Sequence, residues 1–169
     1  MPETPLRLSE PLGIVNMGRR VTTDTTVLIR GLVPPRRKRD DALLGESLRL
    51  HQAALEVLQR IEQGDYQNHI PLLALIETAC VVSRLTNDPE SASLATSFVS
   101  SHAKLYDTTE LLERSIEIGI KTKASGFDVI FMACADMTGS LLITDDRKMY
   151  GKSIEFGLEA TLLREWGAT

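Results

Sequence analysis

A chain of 169 residues with 43% hydrophobic and 25% charged residues has material for one hydrophobic core and too little for two ordinary domains. The net charge of −4 excludes a generally basic nucleic-acid binder but leaves room for local basic patches. Two cysteines, Cys80 and Cys134, lie far apart in apolar surroundings without any CxxC or Cys/His cluster, which excludes a zinc site and predicts two small core residues.

The first segment, MPETPLRLSEPLGIVNMG, carries three prolines and no apolar run of signal-peptide length, so residues 1–18 read as an N-terminal extension. No later stretch approaches the roughly eighteen uninterrupted apolar residues of a membrane span. A cytoplasmic protein without membrane contact is expected. RRVTTDTTVLI, 19 to 29, is rich in β-branched residues and predicts a first strand ending near Asp24. PPRRKRDD, 34 to 41, with two prolines and four consecutive bases, predicts a basic loop inserted into the fold. From about Ala42 to Gln63, Leu44, Leu48, Leu55, Leu58 and Ile61 recur at helical spacing, and Gly64 stands where a left-handed helix end belongs.

HIPLLALIETACVVSRL, 69 to 85, predicts a short extended piece that turns at Pro71 into an apolar helix holding one acid, Glu77. Asp88 followed by Pro89 starts another helix, and KLYD is a short strand. Asp107 with Glu110 has the spacing of a capping box for TTELLERSIEIG. FDVIFMACADMTG reads as a helix with Asp128 in its first turn and Gly139 at its end, followed at once by the strand SLLIT. KMYGKSIEFGLEATLLREW is ambiguous, reading as a short helical turn and then a last edge strand or helix. Strands separated by helices imply βαβ units and a mainly parallel sheet. In such sheets the ligand crevice lies outside the carboxyl ends of the strands, where Asp24, Asp145 and Asp146 are expected.

Asp24, Glu77, Asp128 and Asp146 each sit in or against an apolar segment, where a solvated acid is out of place. Singly, each has an ordinary structural reading. Asp128 can cap its helix, Asp145 and Asp146 can form a turn, and Glu77 can pair with Arg84. Together on one sheet edge they would repel one another, a conflict that a divalent cation removes. Hard oxygen donors with no histidine or thiolate suit Mg²⁺ or Mn²⁺, ions that hold and hydrolyse phosphodiesters.

The order TDTTVLI, a Glu within PLLALIETACVV, GFDVIFMACA and then LLITDD resembles the PIN domain, the metal-dependent nuclease family that includes VapC toxins. The resemblance runs from about Val21 to the C-terminus. It implies a three-layer α/β/α fold, a single domain over 19–169 with a central, mainly parallel sheet of about five strands. It also implies an Mg²⁺ or Mn²⁺ site on Asp24, Glu77, Asp128 and Asp146, with Asp145 in the motif's variable place as an additional candidate acid at the rim. Asp24 and Asp146 would bind ions directly, Asp128 would ligate or hold a metal water, and Glu77 would fix the surrounding shell or a second ion. Thr26 and Thr144 would orient carboxylates or water. Single-stranded or structured RNA as substrate, a homodimer and an antitoxin partner are further implications. The long interval between Asp24 and Glu77 and the N-terminal extension point outside the minimal toxin type, toward an RNA-processing nuclease. A non-catalytic PIN module that binds RNA or a protein partner is the competing expectation.

Arg36, Arg37, Lys38 and Arg39 can meet RNA phosphates or form a solvated loop whose charge Asp40 and Asp41 partly cancel. Arg147 and Lys148, beside Asp146, are better placed for a phosphate. His51, His69 and His102 are isolated and read as surface or packing residues. The scattered aromatic residues make no base-stacking platform.

Overall fold

The computed structural model describes residues 18–36 and 42–167. Most of the predicted N-terminal extension, and Arg37, Lys38 and Arg39 of the basic loop, lie outside the described residues.

The chain runs β1 (Arg19–Thr23), α1 (Thr25–Leu32), α2 (Ala42–Glu62), β2 (Tyr66–Pro71), α3 (Leu73–Thr86) and α4 (Pro89–Ser101). It continues with β3 (Ala103–Tyr106), α5 (Thr108–Thr122), α6 (Gly126–Thr138), β4 (Leu141–Thr144), α7 (Arg147–Phe156), β5 (Ala160–Leu162) and a last tight turn, Leu163–Glu165. The strands form one five-stranded sheet in the order β3-β2-β1-β4-β5, every pair parallel. This is the α/β fold with a central parallel sheet that the βαβ reading requires. α1 and α2 pack on each other and α3 on α4, while α6 crosses β1, β2 and β4 with α5 alongside. The core is correspondingly apolar, with Val21, Leu28, Ile70, Met132, Leu142 and Ile143 almost wholly enclosed.

Several boundaries follow from single residues. Asp107 and Glu110 form the expected capping box, and Asp88 caps α4 through the Glu90 and Ser91 amides. Gly139 ends α6 at φ 59°, a conformation that glycine adopts without a Cβ penalty. Gly31 lets α1 close on α2, because a Cβ there would lie 2.4 Å from Leu58 Cδ1.

One helix was not anticipated and one expectation needs correction. The first strand ends next to Asp24 as expected, and the β-branched run after it forms the unanticipated helix α1, because Asp24 accepts the Val27 amide and starts a helix whose Val27 and Leu28 are then buried. Cys134 is in the core as expected, but Cys80 is exposed: the apolar run containing it is a helix, and Cys80 falls on its outer face. His69 is a packing residue as expected, buried with Nδ1 2.8 Å from the Tyr106 hydroxyl. The ambiguous C-terminal stretch resolves into α7 and the edge strand β5.

Candidate metal centre

The sheet order reverses at β1. The chain moves outward from β1 through β2 to β3, then returns to place β4 on the other side of β1. Crossovers leave in opposite directions from these two neighbours, which opens a crevice at their carboxyl ends. Asp24 directly follows β1, and Asp145 and Asp146 directly follow β4. α6 enters β4 from its amino end, so the N-terminus of α6, with Asp128, comes to the same sheet edge. Glu77 stands in the second turn of α3, which leaves β2 on that edge as well.

Asp24 is 2% exposed. Its amide still donates to the Ile143 carbonyl at 3.1 Å, so the β1–β4 ladder fixes the residue itself. Its Oδ1 accepts the Val27 amide at 3.0 Å and the Thr26 hydroxyl at 2.6 Å, and Oδ2 accepts the Thr144 hydroxyl. Each of these hydroxyls also accepts a backbone amide from the turn that follows β4. The Asp145 amide donates to Thr26 Oγ1 at 3.1 Å, and the Asp146 amide to Thr144 Oγ1 at 2.9 Å. Two threonines thus tie one carboxylate to the backbone of the acidic pair.

Burial pushes the Asp24 carboxyl up to about 6; the bonds from Thr144, Thr26 and Val27 work against that rise, and the charge of Asp146 adds to it. Among the described residues no lysine or arginine pairs with Asp24. Asp146 caps α7, with its Oδ1 accepting the Lys148 and Met149 amides at 2.7 and 3.0 Å.

Asp145 is handled in the opposite way. Its Oδ2 meets Arg30 Nη2 at 2.7 Å and its Oδ1 meets Arg164 Nη2 at 2.9 Å, with the carboxylate side chain only 4% exposed. Two guanidiniums already balance this acid, so it is a strut of the turn and offers a cation no uncompensated charge. The additional metal acid expected at Asp145 therefore finds no support in its surroundings. Arg30 and Arg164 were not among the residues singled out from sequence, and no local motif marks them.

Glu77 is half-buried and its Oε2 accepts the Thr25 hydroxyl at 2.6 Å, so it is tethered to the residue after Asp24 and not to Arg84. Thr25 was also missed, although its place beside Asp24 was a signal. Asp128 is half-buried, and its amide donates to the capping Ser125 hydroxyl at 3.3 Å. It lines a cleft of about 500 Å³ together with Arg147 and Lys148. Arg36 is exposed. Among the described residues no three acid, histidine or cysteine side chains stand close enough together to hold a metal ion. The donor chemistry nevertheless fits a hard cation at Asp24, a buried carboxylate with a second acid beside it and no positive partner. Glu77 is joined to Thr25, the residue after Asp24, and Asp128 stands at the start of α6.

No protein-family model matches the sequence, and no curated protein matches it. Solved structures do match. VapBC2 from Rickettsia felis bound to a DNA fragment from their promoter superposes with a TM-score of 0.59 at 12% identity, over 85% of this chain and 98% of that one. PAE2754 from Pyrobaculum aerophilum gives 0.58 at 17% identity, over 93% and 100%. A toxin–antitoxin complex from Klebsiella pneumoniae gives 0.54 at 22% identity, over 77% and 89%. The chain has the PIN-like α/β/α fold of these neighbours. No helix among the described residues is long and apolar enough to cross a membrane.

Proposed function

We propose that this protein is a ribonuclease dependent on Mg²⁺ or Mn²⁺, acting through Asp24, Glu77, Asp128 and Asp146. The observation that carries the reading is the treatment of Asp24. The fold buries an acid at the sheet's switch point, raises its proton affinity, sets Asp146 beside it and supplies no cation, while an acid 121 positions later receives two arginines. Asp24 and Asp146 would hold the ion, with Thr26 and Thr144 fixing the Asp24 carboxylate toward it. A divalent ion there supplies the positive charge that phosphodiester hydrolysis requires at the attacked phosphate. Glu77, steadied by Thr25, and Asp128, at the mouth of the cleft, would orient water and phosphate on either side.

The neighbours that are toxin–antitoxin assemblies support a toxin reading, in which a small antitoxin encoded beside this chain would mask the acidic edge. A homodimer belongs to the same proposal. Leu112, Ile116 and Ile120, spaced four apart along α5 and all more than half exposed, give a second copy an apolar face to cover. Sedimentation should then report twice the chain mass, and a monomer at every concentration would remove the dimer from the proposal.

The experiment that tests the activity is cleavage of labelled single-stranded RNA with Mg²⁺, with Mn²⁺ and with EDTA, alongside Asp128→Asn. Metal-dependent cleavage that falls by at least about tenfold in the variant is expected, since even indirect partners of a metal are worth 10–100-fold. Equal behaviour of the two proteins under every metal would favour a non-catalytic RNA- or protein-binding module. That no three acid, histidine or cysteine side chains among the described residues are grouped closely enough to hold a metal ion is the observation on that side.

A further inference from the structure

We infer that the cleft between the α5–α6 turn and the start of α7 binds the sugar–phosphate backbone of the RNA strand next to the cleaved bond, with Lys123 as its anchor. The inference rests on the ribonuclease reading and extends it to residues outside the acidic edge.

The cleft begins at the acids. Asp128 is one of its walls, and Arg147 and Lys148 follow Asp146 in the chain. Ser125, Lys123 and Lys152 line it as well. Its four cations outnumber its two carboxylates, Asp128 and Glu155. Lys152 is bridged to Glu155 at 3.0 Å, whereas Lys123, Arg147 and Lys148 have no carboxylate partner among the described residues. α6 and α7 both start at this cleft and bring two positive helix-dipole ends, against the one negative end of α5 at Lys123. A chain of net charge −4 has concentrated unpaired positive charge beside its acids, and a polyanion that must approach those acids needs such a counterweight.

The backbone of Lys123 gives a separate indication. It closes α5 in the left-handed conformation, φ 55° and ψ 29°, with its amide donating to the Gly119 carbonyl at 2.9 Å. Among the described residues the other positive-φ positions are Gly64, Gly139, Gly157, Gly167 and Asn87, the residue types that tolerate it. Only here does a long cationic side chain occupy such a place. A glycine would meet the left-handed turn with less strain; what lysine adds is its charge, which the negative end of α5 uses in part and which the exposed side chain also offers to the cleft.

The test is fluorescence anisotropy of a labelled oligouridylate in EDTA across a salt series, for wild type, Lys123→Gly and Lys123→Arg. Lys123→Gly should bind more weakly, with the log–log salt slope shallower by about 0.7, the value of one lost phosphate contact on a single strand. Its melting temperature should be equal or higher, which separates lost binding from lost folding. Lys123→Arg should keep the wild-type slope. Wild-type affinity and slope in Lys123→Gly would overturn the inference. Cleavage by wild type with Mn²⁺ tests the underlying reading separately: cleavage with no Lys123 effect removes the subsite alone, and a protein that neither binds nor cleaves removes both.

Discussion

Asp24→Asn is expected to lose at least about a hundredfold in RNA cleavage while melting at a higher temperature than wild type at neutral pH without metal. The first half follows if Asp24 holds the ion directly, since the loss should reach or exceed the 10–100-fold range of indirect metal partners. The second half follows from burial. The folded carboxyl is pushed up to about 6 from an ordinary 3.8, chiefly by desolvation. Folding therefore favours its protonated form: the group's stabilising contribution is complete below about pH 4 and is lost as pH rises through 6. At about 1.4 kcal/mol for each tenfold change in proton affinity, the charged form costs the metal-free fold about 3 kcal/mol at neutral pH. Asparagine removes that charge and can still accept the Val27 amide as an N-cap, although it accepts poorly from two hydroxyls at once, which offsets part of the gain. Thermal melts from pH 4 to 8 in EDTA check this. The advantage of the variant should shrink toward pH 4, and Mn²⁺ should raise the melting temperature of wild type only. A variant less stable than wild type at pH 7 would mean that the carboxylate is not held at a cost.

Arg164→Ala and Asp146→Ala are expected to fail in different ways. Arg164 is one of two guanidiniums on a carboxylate that is 4% exposed. Removing it leaves the Asp145 charge with Arg30 alone, a loss of about 2 kcal/mol, below the roughly 3 kcal/mol of a buried charge left with no partner. Asp146→Ala removes a helix cap, worth about 1 kcal/mol, but also an acid beside Asp24. Denaturant melts should therefore rank Arg164→Ala as the less stable protein, while Mn²⁺-induced stabilisation should vanish in Asp146→Ala and persist in Arg164→Ala. The reverse pattern would transfer the metal role to Asp145.

This division between adjacent aspartates marks the limit of what the sequence carries. The strand-end position of both acids is legible, because LLIT is a short apolar run and sheet chemistry puts ligands at its carboxyl end. Which acid is neutralised depends on Arg30 and Arg164, 115 and 19 positions away from Asp145, and no local periodicity encodes such contacts. α1 was hidden for a related reason. TTVLI has strand propensity, but tertiary burial of Val27 and Leu28 together with the Asp24 cap overrides it. The helices with explicit caps, at Asp88 and at Asp107 with Glu110, were readable because a few adjacent residues determine them. Cys80 was misplaced because an apolar run does not reveal which face of its helix stays uncovered. Thr26 and Thr144 were legible as partners of the acids. That both would bind one carboxylate while accepting from both acidic-pair amides required the β1–β4 register.

That register also governs when the site can exist. β1 pairs with β4 through Val21 and Leu141, so the central strand is joined on one side by residues that a ribosome adds 120 positions later. Asp24 gains the Thr144 bond and its Ile143 ladder partner only then. A nascent chain carrying Asp24, Glu77 and Asp128 but not yet β4 has three of its acids and no assembled edge. Closing so long a loop late makes final assembly slow relative to local helix formation. Whatever chemistry this edge performs must therefore wait until residues 141–144 have been added and paired with β1.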